Sequence, residues 1–368
     1  MRMNMFYKKL LLLCCLVAIN QFAVAQNKYS KTIEKTLPMT TNGEFQINNK
    51  YGDIEITGWD KNSIEIIANI QVFDKKEEQA LDLLNRIQSE IKIIGDIILV
   101  NSEIMDKNPN AMNSFFNRIN PIVLDKSNVQ INYIIHLPKN VKTNTNNRFG
   151  DVLINNCFAN LTATVEHGNM TINNDINEAK IEIKYGNLKV KSVDKGNFDV
   201  KNADVYIPSS KNLTLISSGS TMQIDQVSQL NLTSNRDKIN IKNIENASGD
   251  FKFSTINITN LSQQINATLK VTHFNVSKIT NSNAVVVLNQ ESSDINIDVS
   301  GLNFDFKAYL REGTLRIPKT FKNIDNKVID KNQKIRDIKA VYGNPTSGKF
   351  NFKGYKGSIS LKDASLKS

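Results

Sequence analysis

Along most of the chain polar and apolar residues alternate with a period of two, and one recurring phrase punctuates the alternation. It is a Gly followed by Asp or Asn, with apolar side chains two and four positions beyond the Gly. It reads Tyr51-Gly52-Asp53-Ile54-Glu55-Ile56, Phe149-Gly150-Asp151-Val152-Leu153-Ile154, His167-Gly168-Asn169-Met170-Thr171-Ile172 and Tyr185-Gly186-Asn187-Leu188-Lys189-Val190. Looser copies run from Gly196 to Val200, Gly249 to Phe253, Gly313 to Ile317 and Gly357 to Leu361. Period two is the mark of a strand with one buried face. A phrase copied along a chain marks a supersecondary unit that buries its apolar face only against its neighbours. Gly150, Gly168 and Gly186 lie 18 residues apart, and the companion strands Leu161-Ala163-Val165 and Ala179-Ile181-Ile183 keep the same offset. Two strands per short coil of a β-solenoid fit that step.

The register aims Val152, Ile154, Met170, Ile172, Leu188, Val190, Phe198, Val200, Ile239, Ile241, Phe251, Phe253, Ile295, Ile297, Leu315 and Ile317 inward. Glu55, Thr171, Lys189, Asp199, Asn240, Lys252, Asn296 and Arg316 then face solvent, with Leu153 an outward exception. Each corner Gly supplies either positive φ or room for close coil stacking, while the Asp or Asn beside it tolerates left-handed geometry and bonds its own backbone. From the outward set, Thr171, Lys189, Asn240, Lys252, Asn296 and Arg316 make up the candidate binding face. A rigid surface of this kind holds a partner through many weak hydrogen bonds.

Three sections follow a short leader. Residues 26–142 hold strand-like Phe45 to Ile47, Ile54 to Thr57, Ile64 to Val72, Ile97 to Val100 and Val129 to His136. Between them the period changes: Ala80, Leu83, Leu84, Ile87 and Ile91 predict an amphipathic helix over about 75–92, read as a lid or end cap. A polar stretch over about 102–128 carries the apolar cluster Met112, Phe115, Phe116 and Ile119, read as a loop packed on the body, with a partner-docking element as its functional alternative. Residues 143–320 are the solenoid repeats. Residues 321–368 form a basic connection that ends in a final coil or cap, covering strand edges that would otherwise pair with other chains.

The leader, residues 1–25, reads as a cleaved signal peptide. Arg2, Lys8 and Lys9 precede the apolar run Leu10 to Ile19, and Ala23-Val24-Ala25 fits the small-x-small cleavage rule. Cleavage removes Cys14 and Cys15 and leaves Cys157 alone, so stability must come from packing, and Cys157 reads as a small buried hydrophobe. An exported chain of this length without disulfides suits a bacterial envelope protein, periplasmic or at the cell surface. Cleavage also lowers the formal charge from +10 to +7, and residues 301–368, with 15 Lys and Arg against 6 Asp and Glu, carry a surplus of +9. That basicity offers contact with an anionic envelope surface. Nucleic acid is not an expected partner, because no binding motif is present.

Candidate chemistry is sparse. Asp53, Asp151 and Asp250 sit at corners, where turn geometry explains them. His136, His167 and His273 are scattered, with no HExxH, CxxC, GxSxG or phosphate-loop pattern beside them. No catalytic residue, cofactor or metal site is therefore assigned. The sole tryptophan, Trp59, reads as a packing residue, with sugar stacking as its functional alternative.

The signal peptide, the run from Phe45 to Asp60, the Glu- and Leu-rich helix, and Ile135-His136-Leu137-Pro138-Lys139-Asn140-Val141 leading into Phe149-Gly150-Asp151 together resemble the adhesin-like domains of unknown function in Bacteroidetes envelope proteins. These are similar to auto-transporter adhesin head domains. The resemblance implies an all-β, right-handed parallel β-helix with no catalytic residues to carry over. It departs in one respect: no auto-transporter barrel, membrane-spanning segment or C-terminal sorting module follows. The expected function is that of an exported, non-enzymatic β-solenoid, adhesin-like or an envelope scaffold, binding a glycan or a cell-envelope or surface protein. A carbohydrate-active β-helix enzyme and a cell-envelope signalling partner are the alternatives; the first would show outward carboxylates from neighbouring coils converging in a cleft.

Overall fold

The structure is a computed structural model and describes residues 27–105, 128–344 and 348–366. The leader with Cys14 and Cys15, and the cluster Met112, Phe115, Phe116 and Ile119, lie outside the described residues. The described residues are almost all β: 25 strands, one α-helix and a short 3-10 turn. They divide into two units.

The smaller unit draws on residues 27–32, 69–88, 104–105 and 128–130. Its helix, Glu77–Arg86, buries Ala80, Leu83 and Leu84. Glu77 and Glu78 occupy the first turn and Arg86 the last, the charge order that the helix dipole favours. Arg86 also pairs with Asp82 at 3.3 Å and donates to the Met105 carbonyl at 2.9 Å. The helix is shorter than the 75–92 predicted. At Ile87 the backbone turns extended (φ −77°, ψ 121°), and Ile87–Ile94 is a strand. Ile87, Ile91, Ile93 and Ile94 are β-branched, stiff at χ1 and better accommodated in a pleated sheet, so the three- and four-residue spacing of Ile87 and Ile91 does not extend the helix.

The larger unit takes in residues 33–68, 89–103 and 131–366. From Lys142 to Asp298 its strands pair in parallel, each with the strand one coil away: Leu161–Glu166 lies in register between Lys142–Arg148 and the second half of Met170–Lys184. The next coils repeat the arrangement through Asn187–Lys201, Asp204–Ser218, Thr221–Asn235, Lys238–Lys252 and Thr255–Lys270. Fifteen of the sixteen predicted inward residues are buried or half-buried as a consequence of this register or of its continuation beyond it, and most of them are fully buried: Ile154, Met170, Val190, Phe198, Ile239 and Ile295 have no measurable exposure. Phe251 is buried as well, whereas Leu315 and Ile317 are only half-buried. Each fully buried Ile, Val or Phe contributes about 1.5–3 kcal/mol relative to exposure. Phe253 is the correction, since it is half-exposed and points outward at a corner.

That correction follows from where the corners fall. Residues with positive φ stand at Tyr51, Phe149, His167, Tyr185, Asn202, Gly219, Arg236, Phe253, Val271 and Ser292, recurring every 17 or 18 residues from Phe149 to Val271. The left-handed position is thus the residue before the Gly of the phrase. The Gly itself makes room: a Cβ on Gly150, Gly168 or Gly186 would lie about 2 Å from the carbonyl oxygen of the Gly one coil back. Gly196 and Gly249 are not corners. They lie mid-strand, Gly196 paired with Ala179 and Gly249 with Leu232.

Chain order and spatial order part company at both ends. The strands Glu44–Lys50 and Ile54–Trp59 lie between Ile97–Ile104 with Val129–Pro138 on one side and Lys142–Arg148 with Val152–Asn155 on the other. At the other end Gly348–Tyr355 and Ser358–Lys362 are inserted between two earlier coils. They pair with Val285–Glu291 and Asp294–Asp298 on one side, and with Phe304–Arg311 and Thr314–Arg316 on the other. The far edge of Phe304–Arg311 carries an antiparallel hairpin, Ile335–Tyr342 and then Lys322–Asp330.

Candidate functional site

Strand register assembles most of the predicted face. Thr171 pairs with Lys189, Lys189 with Tyr206, Tyr206 with Gln223, Gln223 with Asn240, and the column continues through Asn257, Asn275, Asn296 and Ser360 to Arg316. Glu55 and Leu153 extend it at the other end. Five of the six predicted residues therefore share one column of twelve neighbouring strands, roughly 50 Å long at about 4.8 Å per strand. Lys252 does not join them. It stands on the other strand of the coil, in a column that runs Asn235, Lys252, Lys270, Glu291.

At the centre of the main column the side chains bond one another. Asn257 Nδ2 donates to Asn240 Oδ1 at 2.9 Å, Asn275 Nδ2 to Asn257 Oδ1 at 2.9 Å, and Asn296 Nδ2 to Asn275 Oδ1 at 3.1 Å. Each ladder bond engages one of an amide's two N–H donors and one acceptor site, so every rung keeps a donor and a lone pair for a partner. The bonds also fix the rotamers, which lowers the entropy lost on binding. Sequence reading missed Asn257 and Asn275. The signal was present in the repeated apolar-Asn-apolar triplets Ile239-Asn240-Ile241, Ile256-Asn257-Ile258, Phe274-Asn275-Val276 and Ile295-Asn296-Ile297.

Beside the column's first coils a shallow recess of about 440 Å³ is lined by Asp53, Glu55, Asn132, Asp151, Leu153, Asn169 and Thr171. Its aspartates are already engaged. Asp53 Oδ1 accepts the Asp151 N–H at 2.8 Å, and Asp151 Oδ1 accepts the Asn169 N–H at 2.8 Å and its side-chain amide at 3.1 Å. These are corner bonds between coils, as the turn reading of Asp53 and Asp151 expects.

The remaining candidates fall into structural settings. Tyr51, Phe149, His167 and Tyr185 stack as a ladder of parallel rings, with centroids 5.5, 5.0 and 4.8 Å apart and planes within 8°. Trp59 stacks on His136 at 5.3 Å, carries the Lys61 ammonium over its ring, and donates from Nε1 to the Ser63 carbonyl at 2.7 Å. His136 Nδ1 lies 3.0 Å from Glu65, and the exposed His273 lies 3.4 Å from Asp294. Cys157 is buried, and burial pushes its thiol up to about 12, so it stays protonated at neutral pH and unreactive in the native state. We expect iodoacetamide to label the native protein at Cys157 only after denaturant is added; fast labelling of the folded protein at pH 7.5 contradicts that burial. Among the described residues no group of three or more His, Cys, Asp or Glu is placed to hold a metal ion, and no helix is long and apolar enough to cross a membrane.

No protein-family model and no curated protein matches this chain. Among solved structures, a candidate lipid-binding protein from Parabacteroides distasonis is 14% identical, with 72% of this chain and 98% of that one covered and a TM-score of 0.32. A candidate adhesin from Bacteroides fragilis is 13% identical over 90% and 97% of the two chains, with a TM-score of 0.27. A candidate cell adhesion protein from Clostridium sporogenes is 9% identical over 90% and 100%, with a TM-score of 0.21. Likenesses this loose carry no argument about fold or function.

Proposed function

We propose that this chain is an exported, non-enzymatic, right-handed parallel β-helix that acts at the cell surface or in the periplasm as an adhesin-like protein or envelope scaffold. It presents the Thr171-to-Arg316 column to an extended glycan or to an envelope or surface protein. The observation that carries the reading is the asparagine ladder in the middle of that column, where hydrogen-bonded amides repeat at the strand spacing with donors and acceptors to spare. A ligand with regularly repeated polar groups matches such a ladder through many weak bonds laid in parallel. The right hand follows from the general preference of parallel crossovers. The enzyme alternative draws no support from the recess at Asp53 and Asp151, because both carboxylates serve as acceptors for the next coil's backbone.

The test is binding of the purified protein to immobilised envelope polysaccharides and to cell-surface fractions, with Asn257→Ala/Asn275→Ala compared against Lys252→Ala. The reading expects the double variant to lose at least about tenfold in affinity, from the net worth of two hydrogen bonds, with circular dichroism unchanged. Lys252→Ala, on the other column, should bind as the parent does. Equal binding by all three proteins, or cleavage of the polysaccharide, overturns the reading.

A further inference from the structure

The hairpin at the end of the larger unit leaves one strand edge open. Lys322–Asp330 pairs with Ile335–Tyr342 and with no other strand among the described residues. Eight of its nine residues are exposed on both faces, and Ile324, Val328 and Ile329 stay 53–57% exposed. An open edge that carries β-branched residues is a template for another strand, and the sequence of this edge, Lys-Asn-Ile-Asp-Asn-Lys-Val-Ile-Asp, states which strand fits. Read antiparallel against itself about Asn326, it sets Ile324 opposite Val328 and Asp325 opposite Lys327. Each of these pairs occurs twice across a two-fold axis. Opposite charges and β-branched pairs directly across an antiparallel ladder are favourable, and an isologous contact needs this kind of self-complementarity.

We propose that the 322–330 strand pairs antiparallel with the same strand of a second copy of this chain, centred on Asn326, and so joins two hairpins into one sheet. One face of the joint carries the Ile324 and Val328 pairs about the two Asn326 amides, and the other carries a quartet of Asp325 and Lys327 from both copies. Within one copy Asp325 and Lys327 already lie 3.5 Å apart, so the quartet forms without moving either strand. The register with Ile335–Tyr342 is regular from Asp325 to Val328 and shifts at both ends, with Asn323 at positive φ. These bulges bound the joint to its centre and keep the edge from offering an open-ended template. The joint is small, so association depends on concentration.

The experiment is sedimentation velocity of the purified full chain over a concentration series, with Asp325→Lys, Lys327→Asp, and an equimolar mixture of the two. The parent should form a dimer as concentration rises. Each single variant sets like charges opposite one another at two places and should self-associate about tenfold more weakly. The mixture should recover parental association, because a doubly positive strand then meets a doubly negative one, and that recovery also shows both variants to be folded. Asn326→Cys places two thiols across the axis and should give an intermolecular disulfide on mild oxidation, which Asn323→Cys should not. A parent that stays monomeric at millimolar concentration, single variants that associate like the parent, a mixture that recovers nothing, or a 322–330 strand that pairs only with a different protein overturns the proposal.

Discussion

The corners from Tyr51 to Tyr185 and those from Asn202 to Ser292 solve one problem in two ways. In both regions a left-handed residue turns the chain and leaves a backbone N–H to be satisfied between coils. The early coils put Gly after the turn, so that neighbouring backbones come too close for any Cβ, and they stack aromatic rings on the outside. There the bond comes from an Asp or Asn one position later, which accepts the N–H of the following coil. The later coils fill the Gly position with Ala203, Ser220, Asp237, Ser254, Thr272 and Ser293, all buried. The direction of the bond is reversed: Ser220 Oγ accepts the Ala203 N–H at 3.2 Å, Asp237 Oδ1 the Ser220 N–H at 2.8 Å, and Ser254 Oγ the Asp237 N–H at 3.1 Å. A coil corner therefore demands a turned backbone and a paired N–H, and does not demand glycine.

The sharpest way to break this comparison is to exchange the solutions. Gly168→Val should cost ~3 kcal/mol, because its Cβ meets the Gly150 oxygen at 1.9 Å and the stack has no slack; Gly168→Ser, which imports the later coils' hydroxyl, should fare little better. Denaturant midpoints measure both, and parental stability in either one removes the distinction. Asp237→Ala should cost about 2 kcal/mol, since it strips partners from the buried Ser220 N–H, the Asn235 N–H and the Ser234 hydroxyl. Asp250→Ala serves as its near-neutral control, because Asp250 stands not at the corner expected of it but mid-strand on an exposed face, paired with Thr233 and Thr268. The smallest effect should be a gain. Val271 is a β-branched, half-exposed residue at φ 50°, so Val271→Gly should raise stability by about 1 kcal/mol through relief of left-handed strain. Tyr185→Gly trades the same relief against its stack on His167 and should come out near zero. If the two glycines act alike in thermal melts, the ring ladder contributes nothing.

Most of the interior was legible because alternation reports directly which side chains a pleated strand turns inward. The phrase itself was legible only where Gly marks it. Where the later coils carry Ala, Ser, Asp or Thr instead, the glycines Gly196 and Gly249 lie mid-strand, and alternation counted from Gly249 turns Phe253 to the wrong side of its corner. The helix is legible in the sequence but its end is not, because Ile87 and Ile91 satisfy a helical spacing while preferring a strand. Five of the six face residues could be gathered from alternation alone, yet their alignment into one column needed coil lengths of 17, 18 and 21 residues that vary too much to infer locally. What no local pattern encodes is which coil neighbours which, and the interleaving at both ends was invisible for that reason.

The segment that completes the stack between Val285–Asp298 and Phe304–Arg316 is made later in translation than either of its neighbours. A premature stop before Gly348 would accordingly not trim the sheet from its edge. It would excise a layer from within and strand the Phe304–Arg316 coil and its hairpin beyond a vacancy one strand wide, so the two flanking coils wait unjoined until residues 348–362 have been translated.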